Sequence, residues 1–194
     1  EVFPPGAGTI ACFPQQALYA PGTNVLVFAE ATTGFVFHHW ELDLSGSEPT
    51  QTVAMNGNRS IRAVFASDPP RILRVPDPYP TIQAALAAAT YNDVIEVADG
   101  DYSGDGFHDL AISRDHVTIR GAAGAAVTID LLNAARLADL HGVAGMVFEN
   151  LTIRNGQAPS GRYGAALTIW NDADVTVRDC AFSKNRASHG GAIG

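Results

Sequence analysis

FENLTI at residues 148–153 and VRDCAF at residues 177–182 are two copies of one unit. Each copy continues through a glycine-rich loop to a second shared element, which is GAAL at 164–167 or GGAI at 190–193. The first elements are offset by 29 residues, from 148 to 177, and the second by 26, from 164 to 190. A period of this size, with the variation confined to loops, is typical of proteins built from stacked repeats. The sequence therefore predicts coils that lie on one another.

The repeated elements are predicted to be strands. They are too short for helices, and they are rich in Val, Ile, Phe and Thr. Val175 and Val177 alternate with polar residues, which is the pattern of a strand with one buried face. The apolar phase then slips by one residue at Asp179, and at Asn150 in the other copy. A short polar side chain that tolerates a left-handed backbone predicts a sharp corner there.

Parallel stacking of the two copies predicts which side chains become neighbours. Phe148 and Val177 occupy equivalent inward positions, so we expect them in adjacent strands of one core. Arg178 is then expected beside Glu149 on the outer face. We interpret that contact as an exposed ion pair worth ~0–1 kcal/mol and not as a catalytic couple.

The sequence from Val175 to Ile193 resembles the repeats of secreted bacterial proteins, and chlamydial polymorphic membrane proteins carry a similar Gly-Gly-Ala-Ile element. More broadly, it looks like a right-handed parallel β-helix of the pectin-lyase-like superfamily. Residues 79–86 and 93–102 resemble the opening helix and the first coil seen in many members. The resemblance covers about residues 68–194, and it implies the fold without implying one activity.

A short helix is predicted at the start of this segment. Thr81 is placed to cap it, and the helix is expected to run through about Thr90. Its apolar stripe consists of Ile82, Ala85, Leu86 and Ala89. An alanine-rich helix of this length needs a surface to pack on, and the open end of a β-helix offers one. We therefore expect it to be the N-terminal cap.

Residues 1–67 are predicted to form a separate, small all-β module. Turn signals separate five short apolar segments, at 9–13, 24–29, 35–37, 51–55 and 60–65. Asn56-Gly57 suits a tight hairpin between the last two segments, because both turn positions favour positive φ. Phe37, Trp40 and Phe65 are expected to form the core of this module.

The order of residues in this module resembles a bacterial surface repeat that is often likened to listerial internalin B-repeats. The match runs from Gly8-Thr9 through Trp40 to Phe65. The resemblance implies a spacer or interaction module of an exported protein. Asp68-Pro69-Pro70 then reads as a linker. The predicted fold class is all-β, with a small β module at 1–67 followed at 68–194 by a right-handed parallel β-helix with one N-terminal capping α-helix.

His38 and His39 are adjacent on a predicted strand. Successive side chains of a strand point to opposite faces, so the two imidazoles are not expected to bind one metal ion together. A surface histidine beside the core residue Trp40 is the preferred interpretation.

Composition excludes several classes of partner. The formal charge is −8, and Lys184 is the one lysine among twelve basic residues, which argues against nucleic acid or an anionic membrane as partner. No apolar run approaches the ~18–20 residues of a membrane span. The two cysteines, Cys12 and Cys180, do not form a disulfide framework. Because the sequence stops just as a new coil begins, we expect it to be part of a longer protein.

An acidic, glycine-rich loop follows the first predicted strand of the β-helix. It contains Asp99, Asp101, Asp105 and Asp109 within eleven residues. Two interpretations remain open, because Asp-Gly sequences form turns and oxygen-rich loops also hold calcium. Turns alone are preferred, and Asp99, Asp101 and Asp105 are the calcium candidates. No other cofactor is predicted.

Enzymes of the pectin-lyase-like superfamily place their catalytic groups on the outer face of one parallel sheet. The strands Ile95–Val97, Val127–Ile129 and Leu167–Ile169, with Ile193, are aligned as that sheet. Their outward residues, Glu96, Thr128 and Thr168, form no acid/base pair.

The remaining ionisable residues are scattered along the sequence. Arg120 and Arg154 follow matching Thr-Ile sequences and are expected to stack in one column. The sequence contains no HExxH, GxSxG, phosphate-loop or Cys-His motif. Catalytic residues are therefore not assigned.

Three functions remain open on the sequence alone. The preferred one is a non-catalytic fragment of an exported bacterial surface or adhesin-like protein, located at the cell surface or outside the cell. The second is the N-terminal part of a polysaccharide lyase, hydrolase or epimerase whose active site lies beyond residue 194. The third is a carbohydrate-binding β-helix, for which Tyr102, Tyr163 and Trp170 are the contact candidates. The expected partner is a polysaccharide or a cell-surface glycan, and the oligomeric state stays open.

Overall fold

Short strands separated by turns make up most of the regular structure of this protein. The computed structural model describes residues 1–159, 161, 163–170 and 172–194. The chain divides into two units, Glu1–Pro70 and Arg71–Gly194. Strands dominate both units in the described residues, so the prediction of an all-β protein with one short helix is confirmed.

The first unit, Glu1–Pro70, consists of two sheets. Its strands are β1 (Val2–Phe3), β2 (Gly8–Phe13), β3 (Thr23–Ala31), β4 (Phe35–Leu42), β5 (Thr50–Met55) and β6 (Ile61–Ser67). One sheet has the order β1-β6-β4, in which β1 runs parallel to β6, and the other has the antiparallel order β2-β3-β5. The expected hairpin at Asn56-Gly57 is wrong, because β5 pairs with β3 and β6 pairs with β4. The turn instead carries the chain from one sheet to the other.

The core of this unit is aromatic at its centre. Trp40 and Phe65 are buried, and Phe37 packs against both, with ring centroids 5.2 Å from Trp40 and 5.7 Å from Phe65. The indole Nε1 of Trp40 donates to the carbonyl of Glu48 at 2.9 Å, which satisfies its polar atom inside the core. The predicted core residues are therefore confirmed.

The two adjacent histidines do not point to opposite faces. The register between β4 and β6 shifts between Phe37 and His39, as in a β-bulge. The Nδ1 atoms of His38 and His39 lie 2.8 Å apart as a result. The expectation from strict alternation is wrong at this point, because a bulge interrupts the two-residue period.

The second unit, Arg71–Gly194, contains one helix and a series of short strands. They are β7 (Ile72–Val75), α1 (Ile82–Ala88), β8 (Val94–Val97), β9 (Gly100–Ser103), β10 (Thr118–Gly121), β11 (Val127–Asp130), β12 (Ala138–His141), β13 (Met146–Glu149), β14 (Thr152–Arg154), β15 (Leu167–Trp170), β16 (Val175–Arg178) and β17 (Ala181–Ser183).

The strands of the second unit form three parallel sheets. The first sheet has the order β16-β13-β10-β8-β7, the second β17-β14-β11-β9, and the third pairs β12 with β15. All of these pairings are parallel. The chain visits the sheets in rotation, since β12, β13 and β14 are followed by β15, β16 and β17 in the same sequence of sheets.

The core of the second unit consists of aliphatic and phenylalanine side chains aligned from strand to strand. In the first sheet Ile95, Ile119, Phe148 and Val177 are successive register partners. The first three are fully buried, and Val177 packs against the same cluster. The predicted neighbours Phe148 and Val177 are thus confirmed.

The corners between the first and second sheets have the predicted backbone. Asn150 has φ 54° and Asp179 has φ 52°, both in the left-handed region. Asn150 also donates from its side-chain Nδ2 to the carbonyl of Ala122 at 3.2 Å. This hydrogen bond links one corner to the preceding one.

Helix α1 begins after Thr81, whose Oγ1 accepts a hydrogen bond from the backbone N–H of Ala84 at 3.1 Å. Ile82, Ala85 and Leu86 are buried, and they belong to the same core cluster as the strands of the first sheet. The helix and its N-cap residue Thr81 are therefore as predicted, although the helix ends at Ala88 and not at about Thr90. The core cluster thus provides the packing surface that a helix of this length needs.

Candidate functional site

The outer face of the five-stranded sheet carries a charged ladder: Arg74, Glu96, Arg120, Glu149 and Arg178 are successive register partners. The Nη2 of Arg120 lies 2.9 Å from Oε2 of Glu96, and that of Arg178 lies 3.0 Å from Oε2 of Glu149. The predicted pair between Glu149 and Arg178 is confirmed. The signs alternate along this face, so each glutamate lies between two arginines.

The alignment of one outer column from Glu96 through Thr128 to Thr168 is wrong. Glu96 lies on β8, Thr128 on β11 and Thr168 on β15, which belong to three different sheets. Arg120 and Arg154 do not stack either, since β10 and β14 belong to different sheets. Each sheet contains strands with nearly the same Val-Thr-Ile pattern, so alternation alone does not tell which strands are neighbours.

The third sheet positions a group of aromatic rings on its outer face. His141 on β12 and Trp170 on β15 are register partners. Their ring planes are nearly parallel, at 10°, with centroids 6.3 Å apart. Tyr163, which precedes β15, is 43% exposed and meets Trp170 edge-on at 5.9 Å. His189 pairs with Tyr163 in an isolated parallel bridge, and their centroids are 5.1 Å apart. We refer to His141, Trp170, Tyr163 and His189 as the aromatic row.

A carboxylate holds two of these rings in place. Oδ1 of Asp139 accepts a hydrogen bond from Trp170 Nε1 at 3.0 Å, and it lies 3.1 Å from His141 Nε2. Its second oxygen accepts from Nη1 of Arg136 at 3.2 Å. The row is therefore fixed at its polar edge by a paired charge.

Arg136 and Thr168 connect this carboxylate to the loop that carries Tyr163. Both side chains are buried, and Arg136 Nη1 lies 2.6 Å from Thr168 Oγ1. The Thr168 hydroxyl in turn donates to the carbonyls of Tyr163 and Gly164, at 3.2 and 3.3 Å. Buried polar groups with satisfied hydrogen bonds rigidify their surroundings. The orientation of the row thus depends on a buried network below it.

Gly164 allows the loop to turn next to the sheet. Its φ is +57°, and a Cβ at this position would lie 2.0 Å from the carbonyl oxygen of Leu167. A residue with a side chain would force the backbone away from β15. Gly164, which the repeat pattern places at this position, therefore allows Tyr163 to lie beside Trp170.

The predicted carbohydrate contacts divide between two places. Tyr163 and Trp170 lie together in the aromatic row. Tyr102 lies on β9, where its ring packs 5.0 Å from Phe107 and its hydroxyl donates to the carbonyl of Ala98 at 3.0 Å. Burial raises the pKa of Tyr102 above its ordinary value, with a smaller contribution from Asp99. The histidines of the row, which sequence reasoning missed, give no motif because they are separated by 48 positions, from 141 to 189.

The three calcium candidates have separate partners. Asp99 accepts from the backbone N–H of Ala126 at 2.8 Å, Asp101 lies 4.0 Å from Arg154, and Asp105 lies 4.0 Å from His108. Among the described residues, no group of three or more His, Cys, Asp or Glu side chains is arranged to hold a metal ion. A calcium site at these residues stays a prediction.

An apolar cavity of about 270 Å³ lies in the first unit. Its lining includes Ile10, Val25, Val27, Val53, Met55 and Ile61. At its rim Cys12 Sγ lies 3.6 Å from Tyr19 Oη, and this contact is the main cause that raises the pKa of Tyr19. Tyr19 already donates to the carbonyl of Pro14 at 2.7 Å. The two polar side chains Cys12 and Tyr19 therefore bond each other at the rim of an otherwise mainly apolar cavity.

Comparison with known proteins bears on the first unit. A family model described as a divergent InlB B-repeat domain matches residues 1–69. This match confirms the bacterial surface repeat that the sequence predicted in this segment, and it indicates a bacterial surface-associated protein. No curated protein and no solved structure gives a significant match to the chain. The matched segment covers 69 of 194 residues and does not include the aromatic row.

Helix α1 is short, with seven residues. In the described part of the chain, no helix has the length and apolar character that crossing a membrane requires.

Proposed function

We propose that this chain is a non-catalytic part of an exported bacterial surface protein that binds carbohydrate through the aromatic row. In this proposal a B-repeat-like module, residues 1–67, precedes a right-handed parallel β-helix, residues 68–194, that begins with α1 as its cap. The β-helix acts as a rigid support, and the row is its contact surface. The B-repeat match supports a location outside the cell or at its surface.

The rotation of the chain among three parallel sheets supports the β-helix. A coil that contributes one strand to each sheet in turn produces this order of strands. Right-handedness is the expectation for parallel strands joined by crossover connections, which are right-handed in nearly all proteins. The left-handed corners at Asn150 and Asp179, 29 residues apart, support the same arrangement of coils.

The aromatic row is the observation that carries the proposed binding function. The faces of sugar rings present C–H groups that pack on aromatic rings, while their hydroxyls bond to polar atoms at the ring edges. Tyr163 is 43% exposed, and His141, His189 and Asp139 are exposed beside it. Large exposed aromatic side chains held by a hydrogen-bond network are typical of binding surfaces.

The charged ladder supports a role in binding without catalysis. An acid/base pair for glycosidic cleavage requires two carboxylates with different protonation states near one bond. Along the ladder each of Glu96 and Glu149 lies instead beside an arginine, at 2.9 and 3.0 Å. The carboxylate in the aromatic row, Asp139, is likewise paired with Arg136.

The proposal is tested by binding and turnover assays on the whole chain. We expect retention on a glycan array, and we expect Trp170→Ala to abolish it while Tyr102→Phe has no effect. Circular dichroism and melting curves show whether each variant is folded. Incubation with polygalacturonate or alginate is expected to leave the ultraviolet absorbance unchanged. Formation of unsaturated uronate products would overturn the non-catalytic assignment, and an array without a single bound glycan would overturn the binding function.

A further inference from the structure

We infer that the aromatic row binds a linear, neutral glycan that lies across successive strands of the third sheet. This inference rests on the proposed function and adds to it the class and the direction of the ligand. The rings come from different segments of the chain. His141 lies on β12 and Trp170 on the neighbouring β15, and His189 forms a parallel bridge with Tyr163.

The spacing of the row selects an oligomer over a single sugar. Neighbouring ring centroids are 6.3, 5.9 and 5.1 Å apart. Each step is comparable with the length of one pyranose unit in an extended chain, so a single sugar contacts at most two neighbouring rings. A ligand that engages both His141 and His189 therefore contains several linked sugars.

The direction of the ligand follows from the direction of the row. Parallel strands stack at ~4.8 Å, so side chains in register form a line perpendicular to the strands. Two steps of the row follow such a line, from His141 to Trp170 and from Tyr163 to His189, whereas Tyr163 and Trp170 belong to one stretch of chain. A linear glycan that contacts all four rings consequently crosses from one chain segment to its neighbour at both ends of the row.

The charge in the row favours a neutral ligand over a polyuronate. Asp139 is the carboxylate at its polar edge, and 46% of its side chain is accessible. Its cationic partner Arg136 is only 9% accessible and is already bonded to Asp139 and Thr168. A negative group near the surface, in a chain with a net charge of −8, repels a second carboxylate while it accepts hydrogen bonds from sugar hydroxyls.

A proline-rich peptide is the other extended ligand that aromatic surfaces bind. The row differs from such a surface because its ring nitrogens converge on a carboxylate. Trp170 Nε1 and His141 Nε2 lie 3.0 and 3.1 Å from the same oxygen of Asp139. A dense edge of donors and acceptors suits polyhydroxylated ligands, whereas proline offers only its carbonyls to such an edge.

The test is a chain-length series measured by isothermal titration calorimetry with the whole chain. The probes are β-1,4-linked glucose, xylose, mannose and N-acetylglucosamine oligomers of one to six units. We expect affinity for at least one series to rise by roughly three- to tenfold for each ring that is newly contacted, and then to level off. Oligogalacturonates of the same lengths and a decaproline peptide serve as the charged and the peptide comparison.

Single substitutions distinguish the contribution of the rings at the ends of the row to glycan affinity from that of the central ring. We expect Trp170→Ala to weaken binding of every oligomer by about thirtyfold. His189→Ala is expected to weaken the hexasaccharide by about three- to tenfold and to leave the disaccharide unchanged. His108→Ala is the matched control, because its imidazole contacts Asp105 and Asp109 and is not one of the four rings of the row.

The outcomes distinguish this inference from the function on which it rests. If no saccharide of any length binds, both fail. If monosaccharides bind as tightly as hexasaccharides, or His189→Ala has the same effect on all lengths, the linear ligand is wrong while carbohydrate binding stands. Tighter binding of oligogalacturonate than of every neutral series overturns the neutral class, and tighter binding of decaproline overturns the glycan altogether.

Discussion

The two units differ in where their tryptophans lie. In Glu1–Pro70 the rings of Trp40 and Phe65 are buried and fill the centre of a small core. In Arg71–Gly194 the core is built mainly from aliphatic side chains, and Tyr163 and Trp170 lie on an outer face. Two small sheets enclose few residues, and the large rings of Trp40 and Phe65 fill the space between smaller Val and Ala side chains. A stack of repeated strands buries enough aliphatic surface to leave its rings available for contact.

The largest expected effect tests whether aliphatic packing holds the second unit together. Leu86→Asp places a charge at a position that is 4% exposed in α1. We expect a loss of about 4 kcal/mol or more in the free energy of unfolding of this unit, because burial is lost and the carboxylate has no partner. Hydrogen exchange with mass spectrometry shows which unit opens.

Ala87→Asp is the matched control for this variant, since Ala87 lies in the same helix but is exposed. Unchanged melting of the Leu86→Asp protein would falsify the role of α1 as a cap.

The two tryptophans provide the most direct test of the comparison. We expect Trp40→Ala to destabilise the first unit by about 3–5 kcal/mol, since it empties the core and removes the bond to Glu48. Trp170→Ala is expected to cost less, about 1–2 kcal/mol, because its ring is only partly buried and its removal breaks the hydrogen bond to Asp139. Urea unfolding of both variants measures the difference. Equal losses from the two substitutions would show that the contrast between buried and exposed rings is wrong.

Substitutions of Arg136 test whether the buried hydrogen-bond network fixes the orientation of the exposed rings. Arg136→Met removes the donor to Asp139 and Thr168, and we expect it to cost about 1–3 kcal/mol in unfolding free energy. Glycan binding is expected to fall as well, because Asp139 is no longer fixed. Arg136→Lys keeps the charge but lacks the planar fork, so it should restore stability only in part. Wild-type affinity in Arg136→Met, measured by calorimetry, would exclude a positioning role for this network.

A smaller effect depends on pH and concerns the polar surface of the second sheet. The hydrogen bonds from Asn155 are the main cause that lowers the pKa of Asp130, and the amide of Leu132 and Arg154 add to it. The folded state favours the carboxylate, so its contribution is complete above the ordinary pKa and is lost as pH falls through the lowered value. We expect Asp130→Asn to cost about 0.5–1 kcal/mol at pH 7 and nearly nothing at about pH 2.

Urea titrations at several pH values measure this difference, and Asp105→Asn, at a fully exposed aspartate, is the control. A constant difference between wild type and Asp130→Asn across this pH range would contradict the assignment.

The smallest expected effect concerns the charged ladder. A double-mutant cycle between Glu149→Gln and Arg178→Ala is expected to give a coupling of ~0–1 kcal/mol, since both side chains reach solvent. About 1 M salt should remove most of it, because the screening length is then shorter than the spacing between exposed charges. A coupling that persists at high salt would show that the pair is shielded from solvent.

Local features of the fold could be predicted because they depend on neighbouring residues. Thr81 lies before an apolar stripe, so its capping role could be predicted, and Asn150 and Asp179 marked corners because the apolar phase slips there. Pairing over longer distances was predicted less well. The hairpin at Asn56-Gly57 was wrong because a turn propensity does not exclude a change of sheet.

The candidate site shows the same limit. Tyr163 and Trp170 could be selected from the sequence as large residues in the repeat, but Tyr102 was equally plausible by that criterion. Only the pairing of β12 with β15 brings His141 and Asp139 to Trp170. The adjacent pair His38 and His39 likewise required the bulge in β4 to be seen.

Short strands with inward apolar residues, left-handed corners and one capped helix could all be inferred from local sequence. These properties follow from side-chain size, alternation and backbone preference within a few residues. The tertiary structure alone decided which strands share a sheet, and with them which outward side chains meet. The physical reason is that strands such as Val127–Asp130 and Val175–Arg178 have nearly interchangeable faces, so only the packing of the whole core selects their neighbours.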